Sequence, residues 1–424
     1  MASDRQTDTG AVYILATLDT KGHEAAYVRD LLIGLGVRAR LVDVGCLGAP
    51  SVTADIDRQQ LFAAGGFDVA RLAADADRGL AVSAAAKSAA LWMAGVWKAG
   101  AHTASSVAGV LALGGSAGTT IGAAAMRVLP LEVPKLMVST LASGQVRHYV
   151  GDKNILMLNS VVDISGLNRI TRHVLGEAAR AMAGMVLLPR EKPDHADRPL
   201  IAATMFGVTT PCVEQARTVL EQAGYEVIVF HATGSGGQAM ESLVRDGLIA
   251  GVLDITTTEL ADELVGGVLS AGPERLTAAA ECGVPQLVSL GATDMVNFHS
   301  PASVPKRFRG RTFYHHNPNV TLMRTTAKES ARIGADMGQK LSRAIGPVAV
   351  LAPMRGVSAI DRTGQPFDDP AARHALVESL RAAAPNVEVR EMDCHINDLE
   401  FAIAAANRLL ELMKAAHPPA KREQ

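Results

Sequence analysis

Aromatic side chains are scarce in this chain: two tryptophans, five tyrosines and nine phenylalanines among 424 residues. Few rings mean few stacking platforms, so composition gives no base specificity. Cysteine is scarce too. Cys46, Cys212, Cys282 and Cys394 lie far apart with no Cys-x-x-Cys, a pattern that suggests neither a disulfide framework nor a zinc knuckle. An excess of one charge is missing, with 41 Lys+Arg against 43 Asp+Glu and a net charge of -2. That balance gives no sequence-wide attraction to nucleic acid or to an anionic membrane. No run of 18 apolar residues occurs. The longest candidate, Leu80 to Trp97, is broken by Lys87 and serines and reads as a buried or interface helix. The start, MASDRQTDTG, has no apolar signal-peptide core. The expectation is a cytoplasmic protein with no nucleic-acid or membrane partner. Its weakly charged, alanine-rich make-up suits a homo-oligomer.

What the chain does have is alternation. Short apolar or β-branched runs such as Val12–Ala16, Ala39–Val44, Val107–Leu113 and Lys135–Val138 are separated by helical periods. The pattern restarts after PREKPDHADRP, which holds three prolines and a charge cluster. It continues through Leu200–Met205, Tyr225–Phe230, Leu248–Asp254, Gln286–Ser289, Val348–Leu351 and Val387–Glu391. The fold class is therefore α/β: two doubly wound, mainly parallel-sheet, Rossmann-like domains, 1–190 and 198–424, joined by a linker at 189–199, with a ligand cleft between them.

In such sheets ligands bind beyond the carboxyl ends of the strands, so the loops after strands carry the candidates. TLDTKG offers the hydroxyls of Thr17 and Thr20, the cation of Lys21 and a metal ligand in Asp19, ahead of a helix expected to start at His23. LALGGSAGTT runs from a strand into Gly114, Gly115, Ser116, Gly118 and Thr119, a turn whose N–H groups can approach a phosphate closely. The same letters fit Gly-x-Ser-x-Gly, which would make Ser116 a nucleophile. VVDISGLN puts Asp163 at a strand end, where it could bind a ligand or cap the helix that begins near Asn168.

The second half has a glycine turn of its own, HATGSGGQAM. Gly234-x-Gly236-x-x-Ala239 matches a dinucleotide fingerprint, and Asp254 ends the next strand where a ribose-binding acid would stand. Gly234, Ser235, Gly236 and Gly237 form a second-domain ligand loop on this reading, and a dinucleotide-dependent oxidoreductase is the alternative function. His231, His395 and Arg324 are the candidate catalytic groups for acid/base work and anion anchoring. Adjacent His315 and His316 suit a metal poorly. MFGVTTPC, GATDMVNF, YHHNPNVTLMRTT and DCHIND are read as polar loops that line a cleft or cap helices.

Several longer runs carry a resemblance. They are KLMVSTLASG, SVVDISGLNRITRHVLGEAARAMAGM and IAATMFGVTTPCV, then GYEVIVFHATGSGGQAMESL with GVLDITTTELADELVGGVLSAGPERL, and finally DMVNF, NPNVTLMRTT and CHINDLEFA. The chain resembles, over about 10–415, the family of Tm-type ATP-binding domains, whose named member is part of a plant tobamovirus-resistance protein and whose bacterial members are mostly uncharacterised. The resemblance implies two doubly wound subdomains, ATP with Mg2+ as cofactors, and self-association. It favours Thr17, Asp19, Lys21 and the Gly114–Thr119 turn for the phosphates, with Asp19 on the metal. It leaves the second domain for another ligand, a small anionic metabolite held in the interdomain cleft. It also implies a separate barrel-domain protein as a partner, or a nucleotide-gated inhibitory module. Asn154 departs from the family pattern by standing where an acid is expected.

Overall fold

The computed structural model describes residues 10–75, 77–100, 106–189 and 197–416. Most of the expected linker, like both extreme termini, lies outside them. Two compact units divide the chain, Met1–Lys192 and Pro193–Gln424.

The first unit runs β1 (Ala11–Ala16), α1 (Leu18–Gly34), β2 (Ala39–Asp43), α2 (Arg58–Ala64), α3 (Val69–Asp75), α4 (Arg78–Ala99), β3 (Val107–Gly114), α5 (Ser116–Arg127), β4 (Lys135–Ser139), α6 (Arg147–Val150), β5 (Leu156–Asn159) and α7 (Arg169–Leu187). Its strands form one parallel sheet in the order β2-β1-β3-β4-β5. Strand periodicity explains the layering. In β1, Ala11, Tyr13 and Leu15 face one apolar cluster with α2, α4 and α5, while Val12, Ile14 and Ala16 face another with α1 and α7. A strand buried on both faces reads as a continuous apolar run, as AVYILA does. Tyr13 meets Trp92 of α4 edge-on, with ring centroids 5.5 Å apart.

Helix α4 is long and apolar enough by length and composition to cross a membrane, with a third of its apolar window buried. That third packs on the sheet side through Ala81, Ala84, Ala85, Ala89 and Met93. Leu80, Leu91 and Trp97 are exposed.

The second unit runs β6 (Leu200–Met205), α8 (Thr210–Gln222), β7 (Glu226–His231), α9 (Ser235–Arg245), β8 (Gly251–Thr256), α10 (Thr258–Val265), α11 (Ala278–Cys282), β9 (Gln286–Gly291), β10 (Met295–Phe298), β11 (Phe313–Asn317), β12 (Val320–Arg324), α12 (Ala327–Leu341), β13 (Val348–Pro353), α13 (Pro370–Ala383), β14 (Glu388–Met392) and α14 (Leu399–Ala416). Its main sheet, β14-β13-β9-β8-β6-β7, is parallel throughout. The fold class is thus α/β with two parallel-sheet units.

Several boundaries differ from the sequence reading. The Thr17–Gly22 segment is no loop: α1 starts at Leu18, and Thr20 and Lys21 donate their N–H groups to the Thr17 carbonyl at 3.0 and 2.8 Å. Lys21 then leaves helical geometry at φ -133°, ψ 22°, a kink just before Gly22 that makes the sequence look as if the helix begins at His23. Helices α5 and α9 start inside their glycine turns, at Ser116 and Ser235. Helix α4 starts at Arg78, where Asp77 caps it by accepting from Leu80 N at 3.0 Å.

Two segments read as polar loops, 291–298 and 314–326, instead build an antiparallel sheet, β10-β12-β11. Asn317 turns its hairpin by accepting from Asn319 N at 2.8 Å. Buried Leu322 and Met323 on opposite faces of β12 supply the strand's apolar alternation.

Candidate functional site

In the first unit β2 and β3 flank β1, and the chain passes to opposite sides of the sheet on leaving β1. A crevice opens at such a switch point, beyond the carboxyl ends of the two central strands. Here a pocket of about 460 Å3 occupies it. Thr17, Asp19, Thr20 and Lys21 come from the cap and first turn of α1, just after β1, Gly45 to Leu47 follow β2, Gly115 to Gly118 follow β3, and Asp163 lies beyond β5. Helix α4 adds Arg78, Ala81, Val82 and Ala85, an i, i+3, i+4, i+7 stripe. Segments separated by some hundred residues in the chain therefore share one wall.

The glycine turn of this pocket ends in the N-terminus of α5. Gly115 caps the helix and has no side chain to accept the first-turn N–H groups, so those of Ser116, Ala117 and Gly118 have no partner within the helix. They carry the positive end of the helix dipole. Gly114 allows the close approach of the turn to the helix, since a Cβ there would stand 2.5 Å from Gly118 Cα. Thr119 is fully buried, and its hydroxyl bonds Gly115 O at 2.8 Å and Ser139 Oγ at 2.6 Å. It braces the turn from behind and does not line the pocket. Ser116 is exposed at the rim, and no histidine is among the lining residues, so the geometry gives a serine nucleophile no base.

The opposite wall carries charge. Lys21 donates from Nζ to Ile164 O at 2.7 Å, which leaves two of its three donors for a ligand. Asp19 Oδ2 accepts from Gly48 N at 2.9 Å, while its Oδ1 is buried without a hydrogen-bond partner. An orphaned carboxylate oxygen suits a hard cation or a donor brought by a ligand. Asp163 is exposed on the rim, and the helix beyond it is capped by Asn168. Cys46 lines the pocket as a thiol: burial pushes it up, Arg58 opposes this, and Asp19 and Asp43 add to it. Among the described residues no group of three or more His, Cys, Asp or Glu could hold a metal by itself. Asn154, away from the pocket, accepts from Lys135 Nζ at 3.1 Å and donates to Leu131 O.

The second unit has the same switch point between β6 and β8, and there the protein fills it. Asp254 accepts from Thr204 Oγ1 at 2.7 Å and is held by Arg275 through two bonds of 2.6 and 2.7 Å. Arg275, fully buried, also reaches Glu259 at 2.7 Å and Glu241 at 3.2 Å. Glu241 in turn takes the N–H groups of Leu276 and Ala278. The glycine turn that opens α9 is occupied as well: Gly234 N and Gly237 N donate to Glu259 Oε1 at 2.6 and 3.1 Å. Where a phosphate would sit, the chain has placed its own carboxylate.

This corrects the dinucleotide reading of Gly234, Ser235, Gly236, Gly237, Ala239 and Asp254. The acid and the N–H groups of Gly234 and Gly237 exist, but they are bound into one buried ion network. Sequence alone gave no sign of it, because Glu259 lies 22 and 25 residues from the glycines it bonds.

Two catalytic candidates are corrected in the same way. His395 accepts from Asn397 N at its Nδ1 (3.1 Å), so its Nε2 donates to Ser358 O (2.8 Å), and both ring nitrogens are held by backbone. Arg324 is buried and bonds the carbonyls of Phe367, Asp294 and Thr325, with Asp361 at 3.5 Å. It ties the antiparallel sheet to the core and anchors no free anion. His231 is exposed at the end of β7 against the Phe206 ring, and His315 and His316 are exposed on β11. Two further acids went unsuspected. Burial pushes the Asp262 carboxyl up to about 7 against hydrogen bonds from Asn297 and Leu269. Burial and the neighbouring Asp361 push Asp294 up to about 7, with Arg324 opposing.

Comparison with known proteins covers both units. Residues 10–191 match the uncharacterised protein family (UPF0261) N-terminal domain, and residues 198–413 match the C-terminal domain of the same family. A UPF0261 protein of Clostridium tetani is 46% identical over 408 residues, spanning 95% of this chain and 99% of that one. One of Rhizobium meliloti is 46% identical over 397 residues, 93% and 97% of the two chains. The tomato (Solanum lycopersicum) ToMV resistance protein Tm-1(GCR237) is 44% identical over 319 residues, 74% of this chain but 42% of the tomato protein.

Proposed function

The chain belongs to the uncharacterised protein family UPF0261, and on that premise we propose that its first unit binds a nucleoside triphosphate, ATP with Mg2+, at the switch-point pocket. One observation carries the reading. The pocket joins a free helix N-terminus, a lysine with donors to spare and an orphaned carboxylate oxygen, the last two from one segment nearly a hundred residues before the first. The N–H groups of Ser116, Ala117 and Gly118 and the Lys21 ammonium would bind phosphate oxygens. Asp19 Oδ1 would hold Mg2+, a cation that commonly takes one or two carboxylates and completes its shell with phosphate and water. The bound ion would offset triphosphate charge. Ala81, Val82, Ala85 and Leu47 would cover the apolar part of the nucleotide.

Isothermal titration with ATP tests this, with and without Mg2+. Saturable Mg-dependent binding is expected, and Asp19→Asn should remove the Mg2+ dependence while leaving some ATP binding. Absence of heat at millimolar ATP sinks the reading. Self-association belongs to the same proposal, resting on the exposed Leu80, Leu91 and Trp97 of α4; light scattering on the full chain measures it.

A further inference from the structure

A second hollow, about 440 Å3, lies beside the switch-point pocket and shares Cys46 and Leu47 with it as a common wall. Helix α2 contributes Arg58 and Gln59, and Phe67, Asp68, Val69 and Ala70 complete the lining together with Ala73. Three charged groups bear on it. Arg58 is 8% exposed, and two of its nitrogens are engaged: Nε bonds Asp43 Oδ2 at 2.7 Å and Nη1 bonds Gly48 O at 2.6 Å. Its Nη2 is buried with no hydrogen-bond partner. A buried donor left unmet costs about 1–3 kcal/mol, more when charged. Asp68 turns Oδ1 toward α3, accepting from Ala70 N at 2.8 Å and Arg71 N at 3.4 Å. Lys87 Nζ stands 5.7 Å from the Phe67 ring centroid and adds a cation at the edge.

We propose that this hollow is a binding site for a small organic carboxylate with an apolar body. The carboxylate accepts from the unmet N–H groups of Arg58 Nη2, and the Gln59 amide is the second polar group at hand. The apolar body lies on Phe67, Val69 and Ala70. The two N–H groups of Nη2 suit one carboxylate, and Asp43 already balances much of the guanidinium charge, so the hollow matches a single negative charge at most. A phosphate, with more charge and three acceptor oxygens, would find too few donors here. The site stands on its own geometry whatever the neighbouring pocket holds.

Saturation-transfer NMR on the full chain tests it with butyrate and phenylacetate against their uncharged amides. The acids are expected to bind saturably and the amides at least tenfold more weakly. Removing Arg58 would strand the buried Asp43, so the informative variant is Ala70→Asp. Ala70 is exposed in the first turn of α3, where an acid suits the helix end. Ala70→Asp should keep the thermal midpoint and lose the acids by tenfold or more. Equal binding of acid and amide, acid binding retained in Ala70→Asp, or no saturable binding of either acid overturns the proposal.

Discussion

The two units share a winding: each places its first strand between its second and third, which opens a crevice at the same topological point. In the first unit that crevice is a pocket with unmet donors and an unmet carboxylate oxygen. In the second, Glu259, Asp254, Glu241 and Arg275 close it with the chain's own charges. A glycine turn before a helix therefore states only that an anion can be held there. Whether that anion comes from outside depends on side chains elsewhere in the fold.

The largest test of this contrast is Arg275→Met. Three carboxylates would lose their shared cation inside the protein, which costs on the order of 3–5 kcal/mol. Urea unfolding should show that loss, and a loss below about 1 kcal/mol would break the account of the filled crevice.

Next comes pH. Asp262 and Asp294 are pushed up to about 7 in the folded state. Between an ordinary carboxyl value and 7 the folded state holds the extra protons, so these groups stabilise most below about 4 and lose that contribution as pH rises through 7. Each of the two groups is expected to cost the second unit on the order of 2 kcal/mol from pH 5 to pH 8. Asp262→Asn should flatten part of the slope in amide exchange of this unit, and an unchanged slope would refute the assignment.

A smaller effect separates the two glycine turns by ligand. Lys21→Met is expected to weaken Mg-ATP about tenfold or more, the size of one charge-assisted bond, while unfolding shifts by no more than about 1 kcal/mol for the lost bond to Ile164 O. Gly237→Ala, which pushes a Cβ onto Glu259, should lower stability and leave Mg-ATP affinity alone. Calorimetry that found the reverse pattern would move the nucleotide to the second unit. The smallest effect is Gly115→Ala. Its φ of -80° suits alanine, and an added Cβ meets nothing nearer than Thr140 Oγ1 at 3.6 Å. Stability should hold within about 0.5 kcal/mol, and Mg-ATP affinity should fall a few-fold by crowding at the phosphate turn.

The parallel sheets were legible because their strands are buried on both faces, so runs such as AVYILA and VAGVLALG stand out in the chain. The first pocket was legible in its parts, since Thr17–Lys21 and Gly114–Thr119 follow strands that the topology makes neighbours. What stayed hidden were partners far along the chain. Arg275, in the stretch SAGPERL, reads as a surface residue and is among the largest fully buried side chains. Nothing local ties Glu259 to Gly234, or His395 to Ser358. The β10-β12-β11 sheet was missed for a different reason: polar residues such as Asn297 and Thr321 are buried in it and dilute the apolar alternation.

Both tryptophans of the chain, Trp92 and Trp97, stand on α4, the helix whose Ala81–Ala85 stripe walls the first pocket. All tryptophan emission therefore originates on one side of that pocket, and Trp92 is in edge contact with Tyr13 on the central strand. The molecule carries its own optical reporter. A ligand that shifts α4 against the sheet would change its fluorescence without any label.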